Sequence, residues 1–256
     1  MKIAMLGAGA FGTALGGILA EKGYDIDYYD STLERERLSD VVSSARYIVL
    51  CVPSKAAPHL LPYLPESKPL IVATKGILSD LVFQGFKDWM VMSGPGFADD
   101  IKAKKKTLLT ATDSRIVDLF NTTYIQFDFT DDRRGVLMCG ALKNVYAILA
   151  GMKGLRRESP EWRLFVRRAS EEMALVLEAN GAEAETVELS CGIGDLKLTC
   201  GMPSRNYEYG TILKDNPKYE PTNTVEGLSA IRRIARYEIT LPAKAKLLRE
   251  VINAVK

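Results

Sequence analysis

The sequence has few of the residues that build metal sites. It contains one histidine, His59, and four cysteines among 256 residues. No two cysteines form a C-x-x-C pair, so the ligand spacing typical of zinc sites is missing. Cys51 and Cys139 lie in apolar runs, where a reduced thiol behaves as a small hydrophobic group. We therefore expect no bound metal, and reduced thiols at these two positions.

The sequence also lacks a strong charge of either sign and a long hydrophobic run. Its 34 lysines and arginines nearly balance 32 aspartates and glutamates, for a formal net charge of +2. This balance gives no reason to expect a nucleic acid or a membrane surface as partner. No apolar run approaches the ~18 residues of a membrane span, and no basic segment leads into an apolar one at the start. The sequence predicts a cytoplasmic protein without a membrane span.

The first half does contain short apolar runs that alternate with helical patterns. Such spacing favours βαβ units around a buried, mostly parallel sheet. The apolar runs occupy residues 2–6, 25–29, 47–52, 69–73, 89–92, 107–111 and 124–129. After about residue 130, apolar residues recur at intervals of three and four, which predicts helices. One of these helices would have Pro160 in its first turn and Ser159 as its cap.

This change of pattern predicts two domains, an α/β domain at residues 1–130 and an all-helical domain at residues 131–256. A hydrophobic content of 47% is enough for each to bury a core. We expect ligands to bind in a cleft between the domains. Apolar helical faces in the second half are candidates for a homodimer interface, although the sequence does not separate them from the core.

The segment G-A-G-A-F-G, residues 7–12, follows the first apolar run and leads into a helical pattern. This context is typical of the Rossmann-type doubly wound sheet that binds dinucleotides. Gly7 would make a tight turn, Gly9 would let a pyrophosphate approach the backbone, and Gly12 would let helix and strand pack closely. The helix N-terminus would add N–H donors and a positive dipole. The alternative is that these glycines serve only a tight turn.

Asp30 ends the second apolar run. A carboxylate there can accept hydrogen bonds from the adenosine ribose and repel a 2′-phosphate, which favours NAD over NADP. Two alternatives stay open. Asp30 or Ser31 could simply cap the next helix, with Ser31 and Glu34 forming a capping box. Arg35 and Arg37 could instead reach a 2′-phosphate.

Lys143 stands in the apolar helical segment C-G-A-L-K-N-V-Y-A-I-L-A-G, residues 139–151. Burying an ammonium costs free energy unless a partner pairs with it or a reaction uses it. Hydride transfer to a carbonyl needs a proton donor beside the reacting carbon. Because His59 lies within the predicted cofactor domain at the start of a helix, Lys143 is the stronger candidate. The alternative is a lysine that extends along its helix to reach solvent.

Five further motifs are A-T-K-G at 73–76, S-G-P-G-F-A at 93–98, G-I-G-D-L-K-L-T-C at 192–200, S-R-N at 204–206 and V-E-G at 225–227. Together with the glycine loop and the Lys143 segment, they resemble NAD(P)-dependent glycerol-3-phosphate dehydrogenase over nearly the whole chain and in the family's order. The resemblance implies hydride transfer between the nicotinamide and C2 of dihydroxyacetone phosphate or glycerol 3-phosphate. The glycine loop alone is shared by many oxidoreductases. The Lys143 segment and G-D-L-K-L-T-C at 194–200 are the specific motifs.

The resemblance also implies roles for individual residues. Lys143 would be the proton donor and acceptor at C2, Asp195 would orient it, and Lys75 would contact the reacting end. Arg205 and Asn206 would hold the substrate phosphate, a task suited to a planar guanidinium with paired donors. Further substrate contacts are expected from Gly94, Asn144, Thr199 and Ser204. Further cofactor contacts are expected from Ala10, Phe11, Pro53, Lys75, Ala98, Arg205 and Glu226.

Several of these residues have simpler interpretations. Arg205 could form a surface salt bridge, Asp195 could cap a helix after Gly194, and Glu226 could be a first-turn helix carboxylate. Two other functions also stay open. One is a dehydrogenase of another small phosphorylated or carboxylated 2-hydroxy compound, and the other is a dinucleotide-binding sensor without turnover.

Three features depart from the family pattern. The chain is several tens of residues shorter than the family leads us to expect. Gly96 stands where the family usually has a polar side chain in G-P-x-F-A. An aromatic pair, Trp162 and Phe165, follows the Lys143 helix in a segment where family members are rich in glycine. These departures bear on substrate identity more than on the fold.

Overall fold

The computed structural model describes residues 1–30, 35–201, 204–236 and 238–255, with backbone only for residues 35 and 36. Within these ranges the chain forms seven strands and eleven α-helices, joined by short 3-10 and π-helical turns. The strands are β1 (Lys2–Leu6), β2 (Asp25–Tyr29), β3 (Tyr47–Leu50), β4 (Leu70–Val72), β5 (Trp89–Ser93), β6 (Thr107–Ala111) and β7 (Ile125–Phe129). The helices are α1 (Ala10–Glu21), α2 (Arg35–Ser44), α3 (Ala57–Leu60), α4 (Ala98–Lys102), α5 (Ser114–Phe120), α6 (Arg133–Met152), α7 (Pro160–Ala179), α8 (Asp195–Thr199), α9 (Arg205–Asp215), α10 (Glu226–Ile234) and α11 (Lys246–Val255).

The seven strands form one sheet in the order β2-β1-β3-β4-β5-β6-β7. Neighbouring strands are parallel except β5 and β6, which pair antiparallel. Because β1 to β5 are parallel, their carboxyl ends lie at one edge of the sheet, where residues 7, 30, 51, 73 and 94 follow them. The predicted fold class, a mostly parallel doubly wound sheet followed by helices, is confirmed.

The central strands are apolar throughout because helices cover both faces of a parallel sheet. The residues of β1 after Lys2, those of β3 after Tyr47, and all of β4 are fully buried. At the end of this parallel set, Trp89 of β5 stacks on Phe83 with ring centroids 4.9 Å apart. The Arg133 guanidinium carbon lies 5.0 Å from the centroid of the Trp89 ring.

The chain folds into two compact units. The first unit comprises residues 1–75 and 80–133, and the second comprises residues 76–79 and 134–256. The sheet lies in the first unit, and helices α7 to α11 lie in the second together with all of α6 after its first residue. The sequence predicts a boundary near residue 130, but it contains no sign that residues 76–79 belong with the second unit.

Helix α6 forms the centre of the second unit. Residues 135–151 are all buried. Among the described residues, it is the one helix long and apolar enough to cross a membrane by length and composition alone. Its most apolar window is 94% buried inside the protein, as in the core helix of a globular fold.

Helix α7 begins as the sequence predicts. Ser159 is its N-cap and accepts a hydrogen bond from the Trp162 backbone N–H at 3.2 Å, and Pro160 occupies the first turn. Its buried face carries Trp162, Phe165, Val166, Ala169, Glu172, Met173 and Val176, at intervals of three and four residues. One carboxylate therefore lies on an apolar helix face.

Glu172 is that carboxylate, and it holds the start of α11. Its two oxygens accept hydrogen bonds from the backbone N–H groups of Leu247 and Leu248, each at 2.8 Å. Tyr146 of α6 donates its hydroxyl to the same carboxylate at 3.2 Å. Burial and the charge of Glu172 raise the pKa of Tyr146 well above its usual value, so the phenol stays a donor. Glu172 thus joins α6, α7 and α11.

Replacing Glu172 should destabilise the second unit. Glu172→Ala leaves two N–H groups and a phenol without their acceptor, and each buried unsatisfied group costs ~1–3 kcal/mol. We expect the free energy of unfolding, from urea denaturation followed by circular dichroism, to fall by about 3 kcal/mol. Glu171→Ala is the matched control. Glu171 is the exposed neighbour of Glu172, and its carboxylate forms only a solvent-exposed ion pair, 3.8 Å from Arg167 Nε one turn earlier. A loss at Glu171 as large as at Glu172 would contradict the capping role.

Candidate active site

The glycine loop between β1 and α1 is held by close backbone contacts in the first unit. Gly7 has a φ of 111°, and a Cβ there would lie 2.7 Å from the carbonyl oxygen of Cys51. A Cβ at Gly12 would overlap the carbonyl oxygen of Gly7. The turn and the strand-to-helix packing therefore both require glycine, in the way the sequence predicts.

Gly9 is different, because the protein itself does not require glycine there. It is the N-cap of α1, with φ −70° and ψ 179°, values that any residue adopts. A Cβ at Gly9 would meet no protein atom within 4 Å. The open space lies at the helix N-terminus, beside exposed Ala10 and half-buried Phe11. A pyrophosphate at the first-turn N–H groups fits this cradle.

Asp30 follows β2 at the same sheet edge and is half-buried. Nearby in sequence, Arg37 donates a hydrogen bond to Asp27 Oδ1 at 2.7 Å. The guanidinium of Arg37 is therefore held by a carboxylate of β2. The capping box of Ser31 and Glu34, and the side chain of Arg35, lie outside the described residues.

Lys75, which follows β4, lies beside two other predicted site residues, Gly94 and Phe11. Its Nζ donates a hydrogen bond to the carbonyl oxygen of Gly94 at 2.9 Å and lies 5.3 Å from the centroid of the Phe11 ring. Burial raises the pKa of the Cys51 thiol to about 12, while the positive charge of Lys75 acts in the opposite direction. Lys75 thus adjoins the glycine loop, the segment after β5 and a neutral thiol.

Four other residues that the sequence analysis singled out lie in the first unit. Pro53 is exposed after β3, and His59 is exposed on α3. Ala98 begins α4 and packs against the core of the sheet. A Cβ at Gly96 would find its nearest neighbours at 3.4–3.5 Å, which is close to ordinary van der Waals contact.

In the second unit, Lys143 and Asp195 form a buried ion pair. Lys143 lies on α6 and Asp195 begins α8, and their side chains are 4% and 1% exposed. Nζ of Lys143 contacts Oδ2 of Asp195. The lysine therefore ends on a carboxylate and does not extend to solvent, so the simpler interpretation of Lys143 is wrong.

A hydroxyl and a thiol lie beside this pair, and neither carries a charge. Thr199, at the end of α8, donates its hydroxyl to Asp195 Oδ1 at 3.3 Å. The pKa of the Cys200 thiol is raised, chiefly because the thiol is buried. The positive charge of Lys143 lowers this pKa, and the negative charge of Asp195 raises it further. The net rise keeps Cys200 protonated and neutral.

Two amide side chains connect three helices next to Lys143. The Asn144 amide nitrogen donates to the Gly140 carbonyl at 3.1 Å. Asn206 of α9 donates to Asn144 Oδ1 at 2.9 Å, and its own oxygen accepts the Gly227 backbone N–H at 2.9 Å. A Cβ at Gly227 would lie 2.5 Å from the carbonyl oxygen of Asn144, so the close approach of α10 to α6 depends on glycine. The second amide hydrogen of Asn206 has no acceptor among the residues that the structure describes.

The starts of α9 and α10 carry the other predicted residues. Ser204 is buried and caps α9, accepting the Tyr207 backbone N–H at 3.5 Å. Arg205 is exposed in the first turn of α9, with no ion pair among the residues that the structure describes. Glu226 is half-buried and begins α10.

Sequence reasoning missed three structural contacts around these groups. Glu172 could have been found, because it stands on the apolar face of α7 where a charge needs partners. The hydrogen bond from Trp162 Nε1 to the Cys200 carbonyl oxygen, at 2.6 Å, had no signal, because any residue offers a carbonyl. The link from Asn206 to the Gly227 N–H was hidden for the same reason.

Comparisons with known proteins identify the family of the chain. A family model described as the C-terminus of NAD-dependent glycerol-3-phosphate dehydrogenase matches residues 132–256. Glycerol-3-phosphate dehydrogenase (NAD(P)+) of Maridesulfovibrio salexigens is 33% identical over 85% of this chain and 81% of its own length. The enzyme of the same name from Bacillus velezensis is 28% identical over 100% of this chain and 91% of its own length.

Solved structures show the same fold. Glycerol-3-phosphate dehydrogenase from Coxiella burnetii has a TM-score of 0.82 at 23% identity, covering 99% of this chain and 94% of that one. Glycerol-3-phosphate dehydrogenase from Saccharomyces cerevisiae has a TM-score of 0.75 at 16% identity, covering 100% and 99%. With the relative that is 33% identical, these findings show that the chain belongs to the NAD(P)-dependent glycerol-3-phosphate dehydrogenase family and is a nicotinamide-dependent oxidoreductase.

Proposed function

We propose that the protein interconverts dihydroxyacetone phosphate and glycerol 3-phosphate, with Lys143 as the proton donor and acceptor at C2. The observation that carries this proposal is the buried ion pair of Lys143 and Asp195. Removing two charges from water is costly, and well-packed apolar residues often stabilise a fold equally well. A reaction that uses the ammonium supplies the reason for the pair. A nicotinamide dinucleotide, when bound, supplies or takes up the hydride.

Lys143 would act through both its charge and its proton. In the direction of reduction its ammonium polarises the ketone oxygen and protonates the alkoxide that develops there. In the direction of oxidation the neutral amine accepts the hydroxyl proton. Asp195, itself hydrogen-bonded by Thr199, holds the amine in place in both states. The neutral thiol of Cys200 adds no competing charge.

The glycine loop supports a dinucleotide in the first unit, because the space at Gly9 leaves the start of α1 open. Lys75 would contact the reacting end of the substrate, a role supported by its place beside Phe11 and Gly94. The proposed cofactor contacts are Ala10, Phe11, Pro53, Lys75, Ala98, Arg205 and Glu226. The proposed substrate contacts beyond Lys143 and Asp195 are Lys75, Gly94, Asn144, Thr199, Ser204, Arg205 and Asn206.

The first prediction from this mechanism concerns Lys143. Lys143→Met keeps most of the side-chain volume but removes the proton donor, and we expect kcat to fall by at least ~100-fold, the scale of a lost proton-transfer group. The affinity for NADH, from a fluorescence titration, should change little. Lys197→Met is the matched control, since Lys197 is exposed on α8 two residues after Asp195. Turnover retained by a folded Lys143→Met enzyme would assign the proton transfer to another group.

The second prediction separates the phosphate ester from other substrates. We expect NADH oxidation with dihydroxyacetone phosphate to exceed that with unphosphorylated dihydroxyacetone or 2-oxo acids. Arg205→Ala should raise KM for dihydroxyacetone phosphate about tenfold or more, because a guanidinium binds a phosphate through paired, charge-assisted hydrogen bonds. The slow reaction of dihydroxyacetone should not change.

The control for Arg205 is Arg163→Ala, an exposed arginine of α7 that lies 3.4 Å from Glu158. Equal KM values in the Arg205 variant and the parent would exclude the phosphate role. A preference for 2-oxo acids would favour the dehydrogenase of a carboxylated 2-hydroxy compound.

The third prediction concerns NAD against NADP, where we propose a preference for NAD. The support is the position of Asp30 after β2 and the engagement of Arg37 with Asp27. Asp30→Ala should lower the ratio of kcat/KM for NADH over NADPH about tenfold, because it removes a ribose acceptor and a charge that repels the 2′-phosphate. Asp25→Ala, at the exposed opposite end of β2, is the control. An unchanged ratio would leave Asp30 as a helix cap.

A further inference from the structure

Helix α8 is too short to hold Asp195 in place by itself. It has five residues, Asp195–Thr199, and follows a π-helical turn at Ser190–Gly194. Helices of this length gain little stability from their own hydrogen bonds. Asp195 and Thr199 stand at its two ends, and the hydroxyl of one bonds the carboxylate of the other. Any displacement of the end of α8 therefore moves a hydrogen-bond donor of Asp195.

A side chain from another helix holds that end. Cys200, the C-cap of α8, donates its backbone N–H to Leu196 at 2.9 Å, which continues the helical pattern. Its carbonyl oxygen accepts the indole N–H of Trp162 at 2.6 Å. Both residues are buried, Trp162 at 3% exposure and Cys200 at 0%. The last carbonyl groups of a helix need such partners, because no helical N–H follows them.

Trp162 is itself firmly seated. It lies in the first turn of α7, a helix of 20 residues, and its backbone N–H bonds the Ser159 cap. Phe165, one turn later on the same buried face, is 6% exposed. A buried hydrogen bond thus ties the short helix that carries Asp195 to a long helix.

From this geometry we propose that Trp162 is a positioning residue for proton transfer, acting through the Cys200 carbonyl to hold α8 and so Asp195 against Lys143. The proposal rests on the function proposed above for Lys143 and Asp195. Because catalysis depends on placement to within about 1 Å, loosening α8 reduces turnover without touching substrate or cofactor.

Removal of the indole N–H alone tests this proposal. In a Trp89→Phe background, which leaves Trp162 as the one tryptophan of the sequence, 3-benzothienylalanine is incorporated in place of tryptophan. This analogue keeps the shape of the indole but carries sulfur in place of N–H. We expect kcat to fall about tenfold, with KM for dihydroxyacetone phosphate and for NADH within about twofold of the parent. Trp162→Phe should show the same pattern, and the analogue gives the answer even if that variant fails to fold.

The pH profile of kcat distinguishes positioning from general destabilisation. The groups shown beside Lys143 are Asp195 and the thiol of Cys200. In the analogue enzyme, a weaker pairing with Asp195 favours the neutral amine of Lys143. The fall of kcat for ketone reduction with rising pH should therefore occur at a lower pH than in the parent. Phe165→Leu, a buried change on the same helix, should lower the unfolding midpoint but leave kcat and the pH profile as in the parent. An analogue enzyme with the parent's kcat and pH profile overturns the proposal.

A double variant separates this inference from the proposed function. If Trp162 acts through Asp195, then Trp162→Phe in an Asp195→Asn background should lower kcat by less than about twofold. A tenfold loss in that background overturns the route through Asp195 but leaves the proposed function intact. Parent-like turnover in Asp195→Asn alone would instead contradict the proposed function of the ion pair.

Discussion

The buried ion pair of Lys143 and Asp195 is the interaction on which the arrangement of the second unit depends. Lys143 lies on a helix whose residues 135–151 are all buried, and the carboxylate of Asp195 pairs with its ammonium there. That carboxylate must stay within contact distance, so the placement of the short helix that carries it matters. The hydroxyl of Thr199 bonds the carboxylate, and the carbonyl of Cys200, just after the helix, accepts the indole N–H of Trp162 from α7.

Close backbone contacts fix the position of α9 against α6. A Cβ at Gly151 would overlap the carbonyl oxygen of Tyr207, and one at Gly210 would overlap that of Ile148. Helices α6 and α9 therefore approach each other at glycine, which brings Asn144 and Asn206 within hydrogen-bond distance. The starts of α9 and α10, which carry Arg205 and Glu226, are placed beside α6 by these close backbone contacts and by the Asn206 amide.

Sequence patterns predicted those features that depend on residue type repeated at a fixed spacing. The apolar runs identified the strands, the glycines of residues 7–12 identified the turn, and the apolar helical segment around Lys143 indicated its burial. Features that depend on a main-chain partner were not predictable, because a carbonyl or an N–H leaves no trace in the sequence. Trp162 with Cys200, and Asn206 with Gly227, are of this kind. The cytoplasmic location and the homodimer stay predictions.

The distribution of the two tryptophans has a practical consequence. Trp89 lies in the first unit, stacked on Phe83, and Trp162 lies in the second, bonded to Cys200. Each compact unit therefore contains one tryptophan of its own. Emission from single-tryptophan forms can follow the melting of the sheet unit and of the helical unit separately, in one polypeptide and without an attached dye.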